Sequence, residues 1–245
     1  MTVIPDFAIF AINSPIPNDW MGVYMKCFCY EKDDNFVLRV ENVETKHEDI
    51  ILHAWFQKAD GGYEKVYPME SGADKLWYRD IEEKELIKKN FARLGQSMFS
   101  GLFDWNGVIT TLARKFFENE VEWYMFGSSC ELVRGISVIP NDIDIIVHTK
   151  DFYKVKKLFP DNIVEPFVDN KDTWLVQYFG RLCIDGAIVD IVADDKMNSE
   201  NHHYEKLSWN ELSVFAEPFE TRYALEKERG RADRLKAMEE YNNRK

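Results

Sequence analysis

The 245-residue chain is 45% hydrophobic and 14% aromatic, enough apolar surface to bury an ordinary core as one large domain or two small ones. Its net charge of −12 divides evenly, −6 over residues 1–105 and −6 over the remainder, so neither half carries the clustered positive footprint of a protein that tracks long nucleic acid. No apolar run approaches the roughly 18 residues of a membrane span, and no basic stretch precedes Phe7-Ala8-Ile9-Phe10, so a cytoplasmic protein without a membrane partner is expected.

Residues 1 to about 80 read as short strands: Val23 to Tyr30, Phe36 to Val40, Ile50 to Phe56, Tyr63 to Tyr67 and Leu76 to Arg79. The turns Lys32-Asp33-Asp34-Asn35 and Asp60-Gly61-Gly62 separate them, which suits an antiparallel sheet. From Ile81 the period changes. Leu86, Ile87, Phe91, Leu94 and Met98 recur at helical spacing, and Asn106 is placed to cap a second helix through Val108, Ile109, Leu112 and Phe116. The switch divides the chain into an accessory region, residues 1–100, and a second domain, residues 101–245.

Trp123-Tyr124-Met125-Phe126 is a short aromatic strand ending at Gly127, with Ser128 and Ser129 as caps for a helix over Cys130 to Gly135. Gly127 lets the backbone approach a phosphate closely, and the helix start offers N–H groups to it. Thirteen residues separate Ser128 from Asp142-Ile143-Asp144-Ile145. In a strand Asp142 and Asp144 share one side while Ile143, Ile145 and Val147 face the other. Two carboxylates held together favour a hard cation such as Mg²⁺ with bound phosphates.

A helix over Asp151 to Phe159 ends at Pro160, and strands follow at Ile163 to Val168, Trp174 to Phe179 and Val189 to Ala193. Phe219 to Tyr241 is helical by composition, interrupted near Gly230. Interleaved strands and helices indicate an α+β fold, preceded by the smaller, mainly antiparallel N-terminal region. Four cysteines, Cys27, Cys29, Cys130 and Cys183, are too few and scattered for a disulfide framework, and neither Cys27-x-Cys29 nor His202-His203 has zinc-site spacing.

The stretch Phe126 to Ile145 resembles the signature of the DNA polymerase β-like nucleotidyltransferase superfamily, in its minimal, antibiotic-modifying type. There a hydrophobic residue precedes Gly-Gly or Gly-Ser, and Asp-x-Asp/Glu flanked by hydrophobic residues follows nine to thirteen residues later. The resemblance covers roughly residues 106 to 241 and is specific only across Gly127 to Ile145. It implies a mixed sheet flanked by helices and a third carboxylate from a later strand. Asp190 is the lone charge in the apolar run Ala187 to Val192 and so needs a partner. It is the candidate third ligand; alternatively it caps its strand or pairs with Arg181, and Asp194 or Asp195 takes the third place.

The implied chemistry is transfer of a nucleoside monophosphate, AMP foremost, from a nucleoside triphosphate to a hydroxyl of a small molecule or protein, with release of pyrophosphate. Two Mg²⁺ ions held by Asp142, Asp144 and Asp190 would serve it, with Asp190 beside the attacking oxygen as ligand and base. Gly127, Ser128 and Ser129 would contact the nucleotide, as would Arg134 in the spacer. Family members also reach the triphosphate from C-terminal helices, which points to Lys227 or Arg231; alternatively these form a solvated face with Arg229, Asp233 and Arg234. The N-terminal region would help bind the acceptor, and the acidic balance suits a cationic one such as an aminoglycoside. The alternative is a catalytically silent module of the same fold, an antitoxin or regulatory partner.

Overall fold

The computed structural model describes residues 24–68, 81–101, 103–171, 175–195 and 203–244. Strands β1 (Lys26–Lys32) and β2 (Asn35–Glu41) form a hairpin whose turn residues Asp33 and Asp34 both have positive φ, the conformation that matches strand twist. Strands β3 (Gln57–Ala59) and β4 (Gly62–Pro68) add a second hairpin, giving an antiparallel sheet of order β1-β2-β4-β3.

The strand expected over Ile50 to Phe56 is instead a helix, α1 (Glu48–His53), followed by a turn. Glu48 and Asp49 occupy its first turn, where the helix dipole favours negative charge, and the buried Ile51 and Ala54 are three residues apart, a helical spacing. The segment Leu76 to Arg79 lies outside the described residues.

The second sheet is mixed and seven-stranded: β5 (Trp123–Phe126), β6 (Ile143–Val147), β7 (Ile163–Asp169), β8 (Tyr178–Ile184), β9 (Ala187–Ala193), β10 (Glu205–Trp209) and β11 (Leu212–Ala216), in the order β10-β11-β5-β6-β9-β8-β7. With its helices it makes the α+β architecture that the element pattern implied. β8 begins later than expected and runs to Ile184, because Asp185 and Gly186 close a tight hairpin onto Ala187 with both residues at positive φ. The pair β10 and β11 was not anticipated: Lys206, Ser208 and Ser213 leave these strands half solvated and without a long apolar run.

Helix α2 (Ile81–Met98) buries Ile87, Phe91 and Met98 and packs on both β1 and β7, so it joins the two sheets. In α3 (Trp105–Glu118) the cap is Asp104 rather than Asn106, its side chain accepting from the Gly107 N–H at 3.0 Å; Asn106 lies inside the first turn. The remaining helices are α4 (Ser129–Val133), α5 (Phe152–Leu158), α6 (Phe219–Glu228) and α7 (Ala232–Asn242), the last two separated at Gly230. All four cysteines are free thiols. Among the described residues no helix is long and apolar enough to cross a membrane.

One hydrophobic cluster runs through both sheets, from Leu38, Val40 and Phe56 to Met125, Ile145, Val189 and Ile191. A buried charge network adds a second tie. Glu165 on β7, fully buried, accepts from Arg181 Nη1 on β8 at 2.7 Å and from Lys65 Nζ on β4 at 2.5 Å, and also from the Tyr67 hydroxyl. Burial lowers Lys65 to about 8, with Arg181 acting in the same direction and Glu165 opposing. Removing one partner from a buried ion pair costs about 3–5 kcal/mol. Glu165→Gln is therefore expected to lose stability of that order in urea unfolding, and a loss below about 1 kcal/mol would show that the network contributes little.

Candidate active site

Cross-strand register places the charges. Asp144 pairs with Asp190, Asp190 with Arg181, and Arg181 with Glu165, so one row of side chains across β6, β9, β8 and β7 on a single face is entirely ionic. Two residues along, the next row on that face is apolar: Tyr124, Ile146, Val192 and Phe179. The opposite face carries Ile143, Ile145, Val189 and Ile191 into the main core. Asp142, just before β6, has the parity of Asp144. Oxygen atoms of Asp142, Asp144 and Asp190 all lie within 4.8 Å of one another.

These carboxylates are in very different surroundings. Burial, with Asp142 and Asp190 as like-charged neighbours, pushes Asp144 well above its ordinary 3.8. Asp190 is clamped from its own row by Arg181, with Nε donating to Oδ1 at 2.6 Å and Nη2 to Oδ2 at 2.8 Å. Burial raises Asp190 and Arg181 opposes it. Asp190 thus makes the Arg181 pairing and also lies with Asp142 and Asp144, while Asp194 and Asp195 stay out of that cluster. His53, at the end of α1, lies 2.9 Å from Asp142 Oδ2, and that contact raises the imidazole above 6.5.

Gly127 has φ +66°, and a Cβ there would lie 2.1 Å from Asp144 Oδ2. The glycine is thus required by the aspartate that swings beneath its turn. Gly127 and Ser128 line a cavity of about 850 Å³, open to solvent, together with Asp142, Asp144 and Asp190. The same cavity is lined by Arg222 on α6, Arg229 and Arg231 after it, and Arg234 on α7. The four gather around Glu226, fully buried: Arg222 Nη2 donates to it at 2.7 Å, and Arg229, Arg231 and Arg234 approach within 3.7, 3.4 and 3.8 Å. Arg222 also donates to Glu131 at 3.0 Å. Three carboxylates, Glu226, Glu131 and Glu217, the last 3.7 Å from Arg222 Nη1, are shared among the four guanidiniums, so this cluster keeps one surplus positive charge, while the trio, matched by Arg181 at Asp190 and by His53 at Asp142, is acidic.

Three residues expected at the nucleotide are elsewhere. Ser129 is fully buried and its hydroxyl donates to the Phe126 carbonyl at 2.7 Å, bracing the turn. Arg134 is turned away: it donates to the carbonyls of Cys130 and Glu217 and to the Glu205 carboxylate at 2.7 Å, tying α4 to β10. Lys227 is exposed on α6 and is not among the cavity residues. Of the tail residues proposed, Arg231 reaches the cavity. Arg229 and Arg234 join it from what reads in sequence as a solvated face. Arg222 gave a faint signal, a cation in a half-apolar helix. His53 and Trp55, contributed by the N-terminal region, gave none.

Comparison with known proteins finds no matching family model and no similar curated protein. Among solved structures the chain is similar to a protein of Thermotoga maritima designated a nucleotidyltransferase, at 18% identity and a TM-score of 0.45, covering 56% of this chain and 92% of that one. It is also similar to an antigenic nucleotidyltransferase-like protein of Paracoccidioides brasiliensis, at 15% identity and a TM-score of 0.37, over 54% and 74% of the two chains. A third is ANT(2'')-Ia, solved in complex with adenylyl-2''-tobramycin, at 9% identity and a TM-score of 0.39, over 54% and 86%. These likenesses are distant, and the functional reading rests on the side chains of the site.

Three converging hard oxygen donors, of which Asp190 is paired with Arg181 and Asp142 is in contact with His53, fit a divalent cation of the Mg²⁺ kind. For Asp144 the folded carboxyl binds its proton more tightly than the unfolded one, so its contribution to stability falls as pH rises above 3.8 toward its raised value. Without divalent cation, the stability of the parent relative to Asp144→Asn should decline over that rising range, and millimolar Mg²⁺ should cancel the decline. Thermal unfolding at a series of pH values checks this; an unchanged difference would remove the electrostatic argument for a cation.

Proposed function

We propose that this chain is a Mg²⁺-dependent nucleotidyltransferase that moves a nucleoside monophosphate, AMP foremost, from a nucleoside triphosphate to a hydroxyl of a small molecule or protein. The carrying observation is the composition of one cavity, lined both by three converging carboxylates and by four clustered guanidiniums. A divalent cation and a triphosphate are the complementary pair for such a space.

In this reading Asp142, Asp144 and Asp190 hold two Mg²⁺ ions, which when bound supply charge neutralisation at the α-phosphate and at the attacking and leaving oxygens. Asp190 acts as a ligand through the lone pairs that Arg181 leaves open; a carboxylate clamped on both oxygens is a poor proton acceptor, so the role of base is not assigned to it. Arg231, Arg234 and Arg229 take the phosphates that depart as pyrophosphate, and Arg222 holds the base of that cluster. Gly127 and Ser128 supply a surface with little side-chain bulk next to Asp144. ATP is the expected donor on the strength of the superfamily resemblance, and the acceptor enters from the side of the N-terminal sheet.

Incubation with radiolabelled nucleoside triphosphates, Mg²⁺ and fractionated acceptors tests the proposal. Transfer of label is expected in the parent and is lost by more than roughly 100-fold in Asp142→Ala and Asp144→Ala. Absence of both transfer and Mg²⁺-dependent nucleotide binding in the parent would overturn it in favour of a silent module. Calorimetric titration supplies a second check: Arg231→Ala and Arg234→Ala should each weaken nucleotide binding about five- to tenfold, the worth of one charge-assisted contact at a partly exposed site.

A further inference from the structure

Trp55 follows the C-terminus of α1 with φ +67°, the left-handed conformation in which a helix-terminating glycine ordinarily sits. A bulky residue there costs of order 1–2 kcal/mol, a strain that clusters at functional sites. Its position is held from below. The carbonyl of Ala54 accepts from Arg181 Nη1 at 2.8 Å and from Lys65 Nζ at 3.2 Å, and the indole stacks on Phe179 with centroids 5.9 Å apart. Yet Trp55 is 47% exposed and lines the catalytic cavity.

Its place in the cavity separates it from the phosphates. Across the sheet the order runs from Gly127 on the β5 side, through Asp144 on β6 and Asp190 on β9, to Phe179 on β8 with Trp55 upon it. The arginines come from α6, α7 and the turn between them, whereas Trp55 comes from the turn after α1 in the N-terminal region. The indole also lies near two buried cations, Lys65 Nζ at 5.3 Å and Arg181 Cζ at 5.9 Å from the ring centroid. Cations approaching from the protein side draw π density inward, which leaves the solvent side a weaker seat for a second cation and a better one for a neutral ring.

We propose that Trp55 is the platform of the acceptor subsite and selects an uncharged, ring-bearing acceptor, a phenol or a neutral sugar, over a polycationic one. This rests on the nucleotidyltransferase reading, and it departs from the cationic acceptor that the acidic composition suggested.

The experiment measures binding of N-acetyl-tyrosinamide, a neutral disaccharide and a polyaminated sugar, by ligand-observed NMR with and without Mg²⁺ and a non-hydrolysable ATP analogue. The parent is compared with Trp55→Phe and Trp55→Gly. The glycine variant removes the ring at a position whose backbone prefers glycine, so it keeps the fold. The expected result is binding of a neutral ring probe in preference to the polyamine, retained in Trp55→Phe, weakened at least tenfold in Trp55→Gly, with nucleotide affinity unchanged within twofold in both. Equal binding to parent and Trp55→Gly, or preference for the polyamine, overturns the proposal; so does a loss of nucleotide affinity in Trp55→Gly, which would make the indole a nucleobase platform. If the parent binds a ring probe through Trp55 but no nucleotide, the subsite stands as a ring-binding site and the transferase reading fails.

Discussion

Arg181 is the interaction on which the rest of the structure depends. Fully buried, it is bonded at once to Asp190 beside it, to Glu165 on the next strand, and to the Ala54 carbonyl of the N-terminal region. A guanidinium taken out of water is tolerable only when its donors are satisfied, and here they are satisfied by groups from three separate parts of the chain. The price of burying the charge is therefore also what ties the accessory sheet to the acid cluster. The same guanidinium orients one member of the trio and opposes the effect of burial on it, while Asp142 is met by His53.

That arrangement explains why the cavity is polarised. Pairing Asp190 with Arg181 consumes part of the negative charge inside the protein and leaves Asp144, with Asp142 against His53, at the cavity. Glu226 in turn gathers arginines from α6, α7 and the turn between them around one buried carboxylate, holding like charges close together. Each group is partly balanced within the protein, the acids by Arg181 and His53 and the guanidiniums by Glu226, Glu131 and Glu217, and the residual charges are opposite in sign. A ligand that is itself a cation joined to a polyanion relieves both at once.

The N-terminal region extends this logic beyond phosphate chemistry. It contributes no carboxylate to the trio, but it delivers His53 to Asp142 and Trp55 to the rim, both from the short helix and turn between its hairpins. Lys65 and Tyr67 hold that region to Glu165 by buried polar bonds, so the rim residues sit on a rigid base.

Much of the site was legible from strand periodicity, because side chains two residues apart in a strand must share a face. Asp142 and Asp144 followed directly from that rule, and Asp190 from the cost of a solitary charge in an apolar run. The glycine turn was legible too, although its cause is the nearness of Asp144. Helix α1 was misread because Ile50 to Phe56 is short enough to fit either period. Arg134 and Ser129 direct their side chains to carbonyls and to Glu205 rather than lining the cavity, because proximity in sequence to a glycine turn says nothing of which way a side chain leaves it. Sequence alone determined which residues could share a face, since that depends on local geometry. Only the tertiary structure decided which faces meet: Arg181 on the Ala54 carbonyl, Arg222 on Glu131 and Trp55 on Phe179 are contacts between distant segments, set by the packing of two sheets and two terminal helices.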